Sequence, residues 1–125
     1  MGELGIDELA QHHARWLMAR QGAIAANIAH VSSPGYRAVD VKPFSEVLER
    51  TDLAVSATSS GHIQTAGYSR GRVSKSNARV ADVSHSGNTV SIDRQMVMAA
   101  EVRQGYALNT SVVKSFHRLF LSAVK

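Results

Sequence analysis

Ala25-Ala26-Asn27-Ile28-Ala29-His30-Val31-Ser32-Ser33-Pro34-Gly35-Tyr36-Arg37-Ala38 is the stretch whose reading decides the fold. Upstream of it, Ala10, Ala14, Leu17, Ile24, Ile28 and Val31 recur along one side of a helix, with Gln21 the one polar member of the line. Pro34 disfavours helical angles at Ser33, and Gly35 permits a turn that a residue with a Cβ resists. Tyr36 follows at once, an amphipathic ring able to clamp the turn against the helix it has left. The stretch is therefore where a long helix stops and the backbone turns. Pro-Gly by itself marks only an ordinary helix–turn junction.

Working back towards the N-terminus, Asp7 is expected to cap this helix, with Glu8 in a first turn whose dipole favours negative charge. From there to about Ser32 is roughly 25 residues, or ~38 Å. A helix that long in a small protein requires a partner of similar length, as in a hairpin or coiled coil. Gln21 and Asn27 have two readings, a buried pair that fixes register or an exposed one, and both stand. His12 and His13 are adjacent and point to different helix faces, so they do not form a metal-binding pair.

Working forward, Arg37 to Lys42 alternates around Val39 and Val41 and reads as an extended exit from the turn. Pro43 suits the first position of a short helix whose Phe44, Val47 and Leu48 fold back on the long one. Residues 51–88 change character: Ser, Thr, Gly and Ala dominate, and Val73, Val80 and Val83 show no steady alternation. This segment is expected to be flexible and mostly irregular, or ordered by a partner, with a small β-insert the lesser alternative. Helical periodicity returns after Gly87-Asn88, where Ser91 is placed to cap and Asp93 lies in the first turn. Ile92, Ala99, Val102, Tyr106, Val113, Phe116, Phe120 and Ala123 share one line with Gln95 and Asn109. Met96, Met98, Leu108, Val112, Leu119 and Leu121 flank it, so the apolar band is wider than one partner helix requires. Gly105 costs about 1 kcal/mol against Ala in a helix interior, which a close helix–helix approach would justify.

The expected fold is mainly α: long N- and C-terminal helices packed as an antiparallel, coiled-coil-like pair, joined by a short helix and the flexible middle. The 125 residues then divide into 1–50, the polar segment 51–88, and 89–125, the two terminal helices forming one structural domain. With no cysteine, disulfides and thiolate metal sites are excluded. No apolar run approaches the roughly 20 residues needed to span a bilayer. The N-terminus lacks a basic region followed by an apolar one, so no cleaved signal peptide is expected. Nor is Gly2 a myristoylation candidate, because Ile6 stands where Ser or Thr is required.

Catalytic and cofactor patterns are missing. There is no phosphate loop around Gly61 or Gly67 to Gly71, no metal-ligand spacing among the six histidines, and no nucleophile elbow among the serines. His62, His85 and His117 stand isolated. No enzyme, cofactor, small-molecule substrate or metal site is expected. The net charge of +4 leaves nucleic acid or acidic surfaces open as partners. Arg70, Arg72, Lys75 and Arg79 form a basic run that is either a phosphate contact or a solvated loop kept extended by like charge, the second being favoured.

Asn27-Ile28-Ala29 followed by Ser33-Pro34-Gly35-Tyr36 resembles the signature of the flagellar rod, hook and hook-associated proteins. That signature closes a long N-terminal helix with A-N-N/I-A-N-x-x-T-P-G-Y; His30 and Ser33 replace the usual Asn and Thr. Gly87-Asn88-Thr89-Val90-Ser91-Ile92-Asp93-Arg94-Gln95-Met96 resembles the start of the C-terminal helix in the proximal-rod family of FlgB type, with Gln95 where Glu is usual. The sister rod protein FlgC is the nearest alternative, and its C-terminal signature differs. The resemblance implies a structural component of the flagellar basal-body rod, in the periplasm, assembling head-to-tail into a hollow drive shaft for motility. It implies export through the flagellar type III apparatus and, as partners, FliE, the ring protein FliF, and the rod proteins FlgC, FlgF and FlgG. Asn27, Ser33, Pro34, Gly35 and Tyr36 would form the assembly motif. Leu17, Ile24, Ile28, Val102, Tyr106, Val113, Phe116 and Phe120 would pack the helices or meet neighbouring subunits. The competing readings are a basic helical adaptor that binds nucleic acid or an acidic protein through residues 70–79, and an export chaperone.

Overall fold

The computed structural model describes residues 5–54, 75–77 and 83–125. Two long helices dominate it: α1, Ile6–Ala29, and a second spanning Ile92–Val124. Between them come strand β1, Val39–Val41, helix α2, Phe44–Ala54, and strand β2, Lys75–Asn77, so the C-terminal helix is α3. Partners fall along α3 as they rise along α1: the Asn109 amide donates to the Ala10 carbonyl (3.2 Å), the Tyr106 hydroxyl to that of Ala14 (3.4 Å), and the Asn27 amide to Gln95 Oε1 (3.1 Å). The two helices therefore run antiparallel, as expected. Leu17, Ile24, Met98 and Val102 form the core, with Trp16, Ala99 and Tyr106 packed against it. A Cβ on Gly105 would lie 3.0 Å from Leu17 Cδ2, so the missing side chain makes room for Leu17 between the helices.

Several local expectations need correction. Gly5, not Asp7, occupies the N-cap of α1, and Asp7 and Glu8 both lie in the first turn, where they still complement the dipole. The helix ends at Ala29 and not near Ser32. Its exit tightens into short turns instead, with the Ser33 N–H donating to the His30 carbonyl (3.0 Å) and the Tyr36 N–H to the Ser33 carbonyl (3.3 Å). Gln21 is exposed whereas Asn27 is fully buried, so the two polar residues of α1 divide between the two readings. On α3, Ile92 is exposed and Met98 buried, the reverse of the simple periodic line. Gln95 and Val102 of that line are buried, and Met98 lies between them on the same side, whereas Ile92 is the first residue of the helix, at its open end. Ser91 caps α3 as expected, its hydroxyl accepting from the Arg94 N–H (3.5 Å).

The extended exit is β1. It pairs antiparallel with β2, Val39 opposite Asn77 and Val41 opposite Lys75. A strand thus stands at 75–77, inside the segment expected to be irregular. Residues 55–74 and 78–82, and with them Arg70, Arg72 and Arg79 of the basic run, lie outside the described residues. Pro43 sits immediately before α2, and its carbonyl accepts from Glu46 (3.1 Å) and Val47 (3.4 Å). Phe44 meets the rings of His13 and Trp16 at 4.9 and 5.9 Å, which folds the start of α2 back onto α1. Trp16 Nε1 donates to the Lys42 carbonyl (2.7 Å). Arg20, stacked over the Trp16 ring, joins three elements by reaching Asp40 (3.6 Å) and Glu101 (3.3 Å).

Candidate assembly site

Asn27 stands at the centre of the motif region. Its amide pairs with the backbone of Val39 as a neighbouring strand would: Nδ2 donates to the Val39 carbonyl (2.8 Å) and Oδ1 accepts from the Val39 N–H (2.9 Å). The second Nδ2 hydrogen goes to Gln95, and the Tyr36 hydroxyl donates to Oδ1 at 3.5 Å. One buried side chain thus satisfies the edge of β1 and ties it to both long helices. An unpaired amide at that position would be costly, which is why burial and full pairing go together.

Asn88 is the complementary element. It is 3% exposed, and its Nδ2 is within hydrogen-bond distance of the carbonyls of Ser33 (2.7 Å), His30 (2.9 Å) and Val31 (3.0 Å). These are the carbonyls of the C-cap residue and of the turn that follows it, so a residue just before α3 fastens the exit from α1 from far along the chain. Asn88 Oδ1 accepts from the Val90 N–H (2.8 Å), which orients the amide. Around it the two motif strands interlock: the Gly35 N–H donates to the Ser86 carbonyl (3.0 Å), and the Thr89 N–H to that of Tyr36 (3.0 Å). The Ala38 N–H donates to Thr89 Oγ1 (2.8 Å).

Gly35 and Gly87 face each other in this knot, with φ of 72° and 81°. An ideal Cβ on Gly87 would lie 3.6 Å from the Gly35 Cα, so both positions carry the left-handed backbone that glycine adopts without cost. Tyr36 clamps the turn: its ring stacks on His30 at 4.5 Å with an interplanar angle of 7°. The His30 Nδ1–H donates to the Ala26 carbonyl (2.9 Å), so this replacement for the usual Asn still serves the helix end.

The remaining candidates separate into two sets. Leu17, Ile24 and Val102 are buried between α1 and α3, and Tyr106 and Val113 are half-buried along the same contact. Ile28, Phe116 and Phe120 are exposed. Phe116 and Phe120 continue the α1-facing side of α3 beyond the start of α1, and with Ile6, Val113 and His117 they line an open recess that Asp7, Lys114 and Arg118 also border. Ser33 is half-buried, and Pro34 is exposed at the tip of the turn. The roles of Asn88, Thr89 and Gln95 are not visible from periodicity. A Gly-Asn pair reads as a turn, and nothing nearby announces a bond to a carbonyl some 55 residues earlier. Among the described residues no group of three or more His, Cys, Asp or Glu is placed to hold a metal ion, and no helix is long and apolar enough to cross a membrane.

No protein-family model matches the chain. It is 34% identical over 129 aligned residues to the flagellar basal body rod protein FlgB of Agrobacterium fabrum, covering 100% of this chain and 96% of that protein. It is 33% identical over 104 residues to the FlgB protein of Salmonella typhimurium, covering 77% of this chain and 75% of that protein. The two stretches that carry the resemblance in the sequence are the two that the structure knots together, and the likeness runs through all of the chain between and around them. On that full-length similarity, this chain belongs to the FlgB family of flagellar basal body rod proteins.

Proposed function

We propose that the chain, a structural component of the flagellar basal body rod, builds the proximal part of that rod by head-to-tail association in the periplasm. Its neighbours in this reading are FlgC, FlgF and FlgG along the shaft, with FliE and the ring protein FliF at its base. It reaches them through the flagellar type III export apparatus without loss of a signal peptide. Contacts of this heterologous kind do not close on themselves and so generate a helical tube. The job is mechanical: to transmit torque and leave a channel for exported subunits.

The observation that carries the reading is the unfinished seam on α3. The side of α3 that α1 covers with Leu17 and Ile24 continues past Ile6 as Phe116 and Phe120, which are exposed. A helix of a neighbouring subunit laid end-on to α1 would cover both, each contributing roughly 1.5–3 kcal/mol of burial. The interlocked turn at Ser33-Pro34-Gly35-Tyr36 then sets where the chain leaves the helical layer. Ile28, exposed beside that turn, belongs to the same subunit-facing set.

The test is the double substitution Phe116→Asp and Phe120→Asp. Both side chains lie outside the core, so the isolated protein is expected to keep its helicity and melting temperature. Incorporation into purified basal bodies is expected to stop, and swimming with it. Co-purification of the altered chain with rods at the normal level would show that the α3 seam is not the subunit contact.

A further inference from the structure

The charge of this chain is distributed unevenly. Up to Glu101 it carries ten Lys or Arg and ten Asp or Glu; after Glu101 it carries Arg103, Lys114, Arg118 and Lys125 and no acidic residue. The whole net charge of +4 therefore lies between Arg103 and Lys125, on α3 and the residue that follows it, and three of the four charges fall in its last dozen residues, from Lys114 on. The end of that half overhangs α1, and its large apolar residues are open: Phe116 is 49% exposed, Leu119 65%, Phe120 66% and Val124 71%.

The two properties are sorted by side. At 3.6 residues per turn Val112, Phe116, Leu119, Phe120 and Val124 lie along one side of the helix, while Lys114, Arg118 and Lys125 stack on the opposite side with Leu121 at its edge, all four exposed. A partner helix seated on the apolar side would meet its charges beside the seam, at flanking positions. Here Lys125 stands away from the seam, and Lys114 and Arg118, set on the opposite side by the helical repeat, still border the recess beside Ile6 and Asp7. An interfacial helix has the arrangement seen here: aromatic and aliphatic residues on one side, Lys and Arg on the other, the long basic side chains reaching back to phosphates.

We propose that residues 112–125 form an amphipathic basic helix that lies on an anionic lipid surface while the subunit is unassembled. This goes beyond the role in the rod and does not depend on it. It concerns the free chain, because a neighbour that covers Phe116 and Phe120 would remove the face that enters the lipid.

The full-length protein is mixed with vesicles of phosphatidylglycerol and phosphatidylcholine in equal parts, and with vesicles of phosphatidylcholine alone, then sedimented across a salt series. Binding is expected to the anionic vesicles, to weaken with salt, and to be weak on the neutral ones. Removing three charges with Lys114→Gln, Arg118→Gln and Lys125→Gln is expected to weaken partition about 100-fold at an unchanged melting temperature. The charge-conserving set Lys114→Arg, Arg118→Lys and Lys125→Arg is expected to bind as the parent does. The proposal is overturned by failure to sediment with anionic vesicles, or by equal binding to both kinds. Undiminished binding of the Gln variant also overturns it, since the contact would then lie elsewhere, as in the basic run from Arg70 to Arg79. A designed acidic amphipathic peptide that binds the tail while vesicles do not would identify a protein partner and overturn it equally.

Discussion

Replacing Asn27 by alanine tests the centre of the knot. The side chain is fully buried, and besides releasing the long bond from the Tyr36 hydroxyl (3.5 Å) its truncation strands three closely bonded groups: the N–H and C=O of Val39, at 2.9 and 2.8 Å, and Gln95 Oε1 at 3.1 Å. Each buried polar group left unpaired costs about 1–3 kcal/mol. Val39 is only half-buried, so water rescues part of that loss. Counting two of the three groups gives about 2–6 kcal/mol, with a central figure of about 4 kcal/mol, against a total stability of roughly 5–15 kcal/mol for a domain. At about 4 °C per kcal/mol for a chain of this size, the melting temperature should fall by roughly 15 °C. Thermal unfolding followed by far-ultraviolet circular dichroism reads the global loss, and amide hydrogen exchange reads the local one. Under conditions where both proteins are folded, the amide of Val102 in the core should report only the global loss, and the Val39 amide should lose more protection than the global loss alone accounts for. A loss below about 1 kcal/mol, or an unchanged Val39 amide, would show that the Asn27 amide does not hold the strand to the helices.

Gly35→Val places a β-branched residue at φ 72°, at a cost of at least about 1–2 kcal/mol, and should abolish swimming when it replaces the natural chain at normal expression; swimming cells would show the turn to be dispensable. Gly105→Ile drives a branched side chain towards Leu17, where even a Cβ stands 3.0 Å away. It should cost more than about 2 kcal/mol in a chemical denaturation midpoint, and a neutral result would mean that the helices separate freely at that level.

The long helices, the turn at Pro34-Gly35 and the Ser91 cap were legible from residues alone. Hydrophobic spacing, the φ restriction around proline and the side-chain cap all act within a few residues, so each leaves a local mark. The same locality explains the misses. Asp7 resembles a cap wherever it stands, but the chain caps its helix two residues earlier, at Gly5. Periodicity placed Ile92 on the seam because it treats α3 as an endless cylinder, whereas the packing with α1 begins at Gln95, where the buried bond to Asn27 forms, and takes in Met98 on the same side. Strand β2 is three residues long, too short for alternation to show, and it exists by pairing with β1.

By itself, then, the sequence determined where helices begin to repeat, where the chain must turn, and which residues are greasy enough to seek a partner. Only the tertiary structure decided that Asn27 and Asn88 serve backbone groups far from themselves, that Gly35 lies against Gly87, and that Gly105 makes room for Leu17. The physical reason is range. A backbone group left open at a helix end or strand edge demands a partner, but any amide brought near by the fold can supply it, and no residue beside the open group records which one will.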